Sequence, residues 1–251
     1  MTEPFTFVPA ARLANVAPSA TLALAQRARE MRAQGHDVVS LTAGEPDFVP
    51  PRHVIDAAQD AMSRGLARYT AVPGIPELRD AIAAQQLAFD GVRWSRDEIV
   101  VSTGAKQAIA NTLGACVDPG HEVVIVAPYW LSYVDMTHLV GGVPVLITTR
   151  DDEGFALSPE ALERALTPRT RMVILNSPSN PAGACYSHEA WRGIAEVLRR
   201  HPHVLVMLDD IYRRLYFGDA PIAPSLLHVA PDLQSRCIVI DGCSKTYAMT
   251  G

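Results

Sequence analysis

Lys245 stands in Ser244-Lys245-Thr246-Tyr247-Ala248-Met249-Thr250-Gly251, just after the apolar run 237–240. A lysine where a buried strand ends can serve as an amine nucleophile. Asp209 stands in the same relation to the run 204–208, within Asp209-Asp210-Ile211-Tyr212. A carboxylate there is costly unless it meets a partner, and a protonated ring nitrogen is one such partner. Asp210 reads as a solvated turn carboxylate. After the run 171–175 comes Asn176-Ser177-Pro178-Ser179-Asn180-Pro181-Ala182-Gly183. Its prolines hold the preceding residues extended, an Asn-Pro bond can be cis, and Asn180 offers an amide donor. Ala127-Pro128-Tyr129-Trp130 follows another apolar run, and an aromatic at the mouth of a sheet can stack on a planar ring. In Ser102-Thr103-Gly104-Ala105-Lys106-Gln107 a strand gives way to a helix. Its small residues let an anion approach the free N–H groups of the first helical turn. This loop is neither a P-loop nor a GxGxxG, so it does not point to a nucleotide.

Each loop alone has a plainer account. The loop 102–107 could be an ordinary small-residue turn, Trp130 a rim aromatic, the proline loop a polar turn, and Lys245 a surface lysine. What they share is position, since each falls at the end of an expected strand. Expected strands cover 98–102, 122–126, 143–147, 171–175, 204–208 and 237–240. Helical segments at 106–116, 130–139, 159–166 and 188–200 lie between them. Apolar runs with little alternation imply strands covered on both faces. Strand–helix alternation implies a mainly parallel sheet, which binds ligands at the carboxyl ends of its strands. Upstream, the spacing predicts helices at 52–64 and 75–89, an N-terminal helix stopped near Gly35, and a short strand at 38–41.

Composition narrows the class. Hydrophobic residues make up 48% and charged residues 20%, the balance of a globular protein with a buried core. The net charge of -5 and scattered Lys and Arg give no basic face for nucleic acid. No run is long and apolar enough to span a membrane, and Met1–Pro9 lacks the features of a signal peptide. The cysteines Cys116, Cys185, Cys237 and Cys243 form no CxxC and read as buried, reduced thiols of a cytoplasmic protein. His201-Pro202-His203 lacks the further ligands that a metal site requires.

In order and spacing these loops resemble the class I and II aminotransferases of pyridoxal-phosphate (PLP) fold type I, in the aspartate aminotransferase subgroup. The resemblance is carried by Leu41-Thr42-Ala43-Gly44-Glu45-Pro46-Asp47-Phe48, by Arg68-Tyr69-Thr70 with Gly74-Ile75-Pro76-Glu77-Leu78-Arg79, and by the five loops above. It implies an α/β fold with a mostly parallel sheet flanked by helices. Residues 51–251 would form the PLP-binding large domain. Residues 1–50 would form an arm and part of an incomplete small domain. It further implies that Lys245 holds the cofactor and moves protons, and that Asp209 pairs with the pyridine nitrogen. Tyr212 and Asn180 would bond the ring's 3-oxygen, and Trp130 would wall the ring. Gly104, Ala105, Lys106 and Ser244 complete the cofactor set, with backbone N–H groups of Ala105 and Lys106 on the phosphate. Tyr69 would reach the cofactor of a second copy, implying a homodimer. Gly44, with Trp130 and Asn180, would contact the substrate, and Ser19-Ala20-Thr21 would approach its side chain.

The implied reaction moves an amino group from an L-amino acid, aspartate first, to a 2-oxo acid. A PLP-dependent β-lyase or synthase would share every motif. A non-catalytic PLP-binding module or an inactive fragment are further readings, although no basic winged-helix region precedes the fold. The chain departs from the pattern in two places. Gly242 stands where many members have serine, and the sequence stops at Gly251 where members continue with Trp-Arg. The resemblance therefore implies a truncated chain that lacks two arginine contacts, one to the phosphate and one to the substrate carboxylate.

Overall fold

The computed structural model describes residues 6–14, 16, 18, 20–42 and 44–251. Four helices come first: α1 (Ala20–Ala33), α2 (Arg52–Ser63), α3 (Pro76–Asp90) and α4 (Ala105–Cys116). Strands and helices then alternate as β1 (Glu122–Ala127), α5 (Ser132–Leu139), β2 (Val143–Thr148), α6 (Pro159–Ala165) and β3 (Thr170–Asn176). They continue as α7 (His188–Arg200), β4 (Leu205–Asp209), α8 (Leu226–Val229), β5 (Cys237–Ile240) and α9 (Cys243–Thr246).

Local chemistry explains the borders. Ser187 caps α7 by accepting from the Ala190 N–H at 3.1 Å, and Ser158 caps α6 in the same way through Ala161. Pro159 and Pro76 occupy first helical positions, where no N–H is needed. Gly91 ends α3 in the left-handed region at φ 69°, which only glycine adopts freely.

The five strands are all parallel, in the order β2-β1-β3-β4-β5. Their side chains alternate between two cores. Val123, Ile125, Met172, Ile174 and Met207 face α4 and α5 through Ile109, Leu113 and Tyr133. Val124, Val173, Leu175, Val206 and Leu208 face the other way, toward Leu162 of α6, Trp191 and Leu198 of α7 and Leu226 of α8. Burial on both faces is why these strands read as unbroken apolar runs. The chain moves from β1 outward to β2, then returns to place β3 on the other side of β1. Such a reversal opens a crevice at the carboxyl ends of β1 and β3.

Trp191 anchors the second core. It is fully buried, its indole N–H donates to the Pro224 carbonyl at 3.0 Å, and its ring meets Tyr186 edge-on at 5.0 Å. Trp191→Ala should cost about 3–5 kcal/mol of stability, read as a lowered urea midpoint.

Several expectations are corrected. Segments 98–102 and 38–41 are not strands. Val101 N–H bonds the Pro73 carbonyl at 2.9 Å, yet Val100 stays 67% exposed and Leu41 93% exposed. Residue type favours extension there, but neither segment has a paired strand among the described residues, and pairing is what makes a strand. Arg96–Glu98 instead forms a tight turn in which Ser95 and Glu98 bond each other reciprocally. α5 begins at Ser132 rather than Trp130, because the Trp130 carbonyl accepts from Tyr133 N–H in the turn that leads into it. Of the cysteines only Cys237, inside β5, is buried. Cys185 and Cys243 lie in loop and helix-start positions and are exposed, and all of the cysteines are free. No described helix is long and apolar enough to cross a membrane.

Candidate active site

The polar loops converge at the carboxyl ends of the strands. Asp209 is the last residue of β4 and is buried. The Tyr133 hydroxyl on α5 donates to Asp209 Oδ2, and the Ile211 N–H reaches Oδ1 at 3.4 Å. No Lys, Arg or His among the described residues lies within ion-pair distance of this carboxylate. Burial pushes its pKa up to about 6, with the Tyr133 and Ile211 bonds pulling the other way. Burial, then the adjacent Asp209 charge, hold the Tyr133 phenol well above its ordinary value. A buried carboxylate bonded only by neutral donors is the natural partner of a cationic ring nitrogen.

Asn176, at the end of β3, organises the neighbouring loop. Its Nδ2 donates to the Asp209 carbonyl at 2.7 Å, and its Oδ1 accepts from the Asn180 N–H at 2.8 Å. Asn180 Nδ2 is thereby set 3.2 Å from the Tyr212 hydroxyl. The Asn180-Pro181 bond is cis, as are Ser177-Pro178 and Ala127-Pro128. Pro128, Tyr129, Tyr133, Asn176 and Asn180 line one cavity at the crevice between β1 and β3.

Trp130 stands beside this cavity, edge-on to Tyr133 at 5.4 Å. The Lys106 ammonium lies 5.0 Å from the centre of its ring. Lys106 and Ala105 open α4, so their N–H groups have no carbonyl partner within the helix. Gly104 precedes them at φ 81°, and nothing lies within 4 Å of where a Cβ would sit. The close approach at this turn is therefore open to a ligand, and the positive φ favours glycine. Gln107 Oε1 accepts from Thr103 N–H and fixes the loop.

Lys245 lies in α9, half-buried, with Ser244 before it. Its Nζ donates to the Gly44 carbonyl at 2.5 Å, and the Thr250 hydroxyl donates to Glu45. The lysine and the glycine expected at the substrate are thus brought together across the chain. Tyr69 is not brought to this group; it stands fully exposed. Ser19 and Ala43 lie outside the described residues, as do the side chains of Ala20 and Thr21, so Ser19-Ala20-Thr21 is not located.

Three residues with a place here had no role read from sequence. Tyr133 and Asn176 position Asp209 and Asn180. A tyrosine three positions past Trp130 on an apolar helix face was the available signal, since a buried hydroxyl needs a partner. Asp210 is the third. It is buried and bonds Arg213 at 3.2 Å, not solvated as expected, because its backbone is held to Ile240 and its side chain meets the buried Arg213.

Residues 36–251 match the model of the family "Aminotransferase class I and II". The aspartate aminotransferase of Rhizobium meliloti (strain 1021) is 48% identical over 246 residues, covering 98% of this chain and 60% of that protein. The aspartate/prephenate aminotransferase of Cereibacter sphaeroides is 46% identical over 239 residues, 95% of this chain and 60% of that protein. The crystal structure of the Rhizobium meliloti aspartate aminotransferase overlays with a TM-score of 0.94 at 46% identity, covering 98% of this chain and 61% of that one. Aspartate aminotransferase of Thermus thermophilus with maleate gives 0.91 at 40% identity, covering 98% and 63%. The chain spans about 60% of the length of the curated relatives it matches. With a family match over most of its length and a sheet whose strand ends gather the same loops, the chain belongs to the class I and II aminotransferases.

Proposed function

We propose that the whole protein is a PLP-dependent aminotransferase that moves an amino group from L-aspartate or a similar amino acid to a 2-oxo acid. The observation that carries this reading is the buried, cation-free Asp209 at the strand ends, bonded by Tyr133 and Asn176, the second of which also sets Asn180 against Tyr212. Relatives named for aspartate, or for aspartate and prephenate, support the substrate class. PLP supplies an electron sink for the charge left when an α-proton departs.

The chain's own groups divide the work. Asp209 keeps the proton on the ring nitrogen, and Tyr133 and Asn176 hold Asp209 in place. Tyr212 and Asn180 bond the ring's 3-oxygen. Trp130 covers a ring face and excludes water. Gly104, Ala105 and Lys106, with Ser244, receive the phosphate, where free helix-start N–H groups suit an anion. Lys245 Nζ would hold the cofactor and, once the substrate's amino group displaces it, would be the free amine that moves the proton from the substrate α-carbon. Gly44, which already accepts from Lys245, contacts the substrate carboxylate side. The exposed Tyr69 reaches the cofactor phosphate of a second copy in a homodimer. Residues 1–50 belong with the smaller domain and 51–251 with the cofactor domain, and the protein works in the cytoplasm.

The test is product analysis. Purified protein supplied with PLP, L-aspartate and 2-oxoglutarate should yield glutamate and oxaloacetate, followed by NMR. Release of ammonia with no exchanged amino group would instead mark a lyase and overturn the reading.

A further inference from the structure

Arg213 follows Tyr212 in the turn after β4, and no step above uses it. Its guanidinium is buried. The two terminal nitrogens donate to both oxygens of Asp90, at the end of α3, at 2.9 and 3.0 Å. One of them also reaches Asp210 Oδ2 at 3.2 Å. Nε and the other terminal nitrogen reach the Ala223 carbonyl at 3.3 Å. Asp90 and Asp210 are themselves buried. His228 Nε2 donates to the Phe89 carbonyl and lies 3.4 Å from Asp90. The backbone of the turn is fastened as well. Asp210 N–H bonds the Ile240 carbonyl at 2.8 Å, and Ala223 N–H bonds the Arg213 carbonyl at 2.9 Å.

A buried ion pair is a poor source of net stability, because desolvation offsets much of the attraction. What a guanidinium supplies here is geometry. Its planar fork pairs with both oxygens of Asp90 while reaching Asp210 and a carbonyl, five contacts that the three donors of an ammonium cannot reproduce. Successive residues at a strand end point to opposite sides. Asp209 turns to Tyr133, and Asp210 turns to Arg213. Clamping Asp210 therefore fixes the rotation of the backbone that presents Asp209 and, through the same turn, Tyr212.

We propose that Arg213, anchored by Asp90, is a positioning residue for the cofactor: the buried Asp90–Arg213–Asp210 triad sets the turn that aims Asp209 and Tyr212 at the ring. This rests on the reading of the site given above. Two variants test it in the purified protein. Arg213→Lys keeps the charge and loses the planar fork. Asp90→Asn keeps the shape and loses the anchor's charge. Folding is checked by far-ultraviolet circular dichroism. PLP affinity and the visible dichroism per bound cofactor are then measured, the second reporting how the ring is held. Arg213→Lys should weaken PLP binding about tenfold or more and shrink the visible dichroism, with Asp90→Asn changing both in the same direction. A lowered melting temperature with affinity and dichroism at parent values overturns the proposal. So does weaker binding with unchanged dichroism per bound cofactor, since that marks a loosened fold rather than a tilted ring. If neither variant folds, the triad is a folding device and the proposal fails. A parent protein that takes up no PLP fails the reading of the site itself, and that outcome is visible before any variant is made.

Discussion

In Lys245→Ala, the visible absorption band of protein-held PLP should disappear, and amino transfer should fall on the order of 10⁴-fold. The size of the effect follows from the two jobs placed on one atom. Nζ both holds the cofactor and moves the substrate proton, so the alanine variant loses covalent attachment and acid–base chemistry together. The rest of the site should survive. Asp209, Tyr133, Asn176 and Asn180 bond one another without Lys245. Free PLP should therefore still bind, more weakly, with the absorption of an unattached aldehyde. The expected loss includes a small structural part, because Lys245 also bonds the Gly44 carbonyl. A band unchanged in Lys245→Ala would place the attachment elsewhere and remove the central assignment.

Asp209→Asn should separate stability from function by sign. Burial raises this carboxyl from 3.8 to about 6. A raised carboxyl binds its proton more tightly in the folded chain than in the unfolded one. Its contribution to folding is fully present below pH 3.8 and is lost as pH rises through about 6. Near pH 7 the cofactor-free protein thus carries an unfavourable charge worth about 3 kcal/mol at most. Asparagine keeps the shape, still accepts from Tyr133, and removes that charge. The cofactor-free variant should be more stable near neutral pH, and its urea midpoint should vary less between pH 4 and 6. Amino transfer should fall on the order of 10³-fold, because a neutral amide cannot keep a ring nitrogen protonated. A variant that is less stable without cofactor, or that retains parent activity, would refute the role given to Asp209.

The sheet was legible because its physics is local. β5 and α7 fall where the sequence reading placed them, at Cys237–Ile240 and His188–Arg200. Apolar runs mark doubly covered strands, and helical spacing marks the segments between them. The strand-end positions of Lys245, Asp209, Asn180 and Trp130 were legible for the same reason. What escaped depends on partners far along the chain. Residues 98–102 have strand-like composition, yet composition does not supply a neighbouring strand. Asp210 looked solvated because its partner Arg213 is in turn held by Asp90, which lies 123 residues before it. Tyr133 drew no role from the sequence, because only the fold puts its hydroxyl on Asp209 across 76 residues.

The bond from Lys245 to Gly44 spans 201 residues of sequence, whereas Asn180 and Tyr212 are 32 apart. For a free chain, closing the longer loop costs about 1.6 kcal/mol more in entropy. The order of assembly follows. Strands β1, β3 and β4 and their nearby loops can come together while Lys245 is still being synthesised, and the lysine joins them only after β5 has paired with β4. A nascent chain would thus gather Asp209, Asn176 and Asn180 before it owns the amine that joins them. Attachment of a small aldehyde at Lys245 then reports that β5 has joined the sheet beneath it.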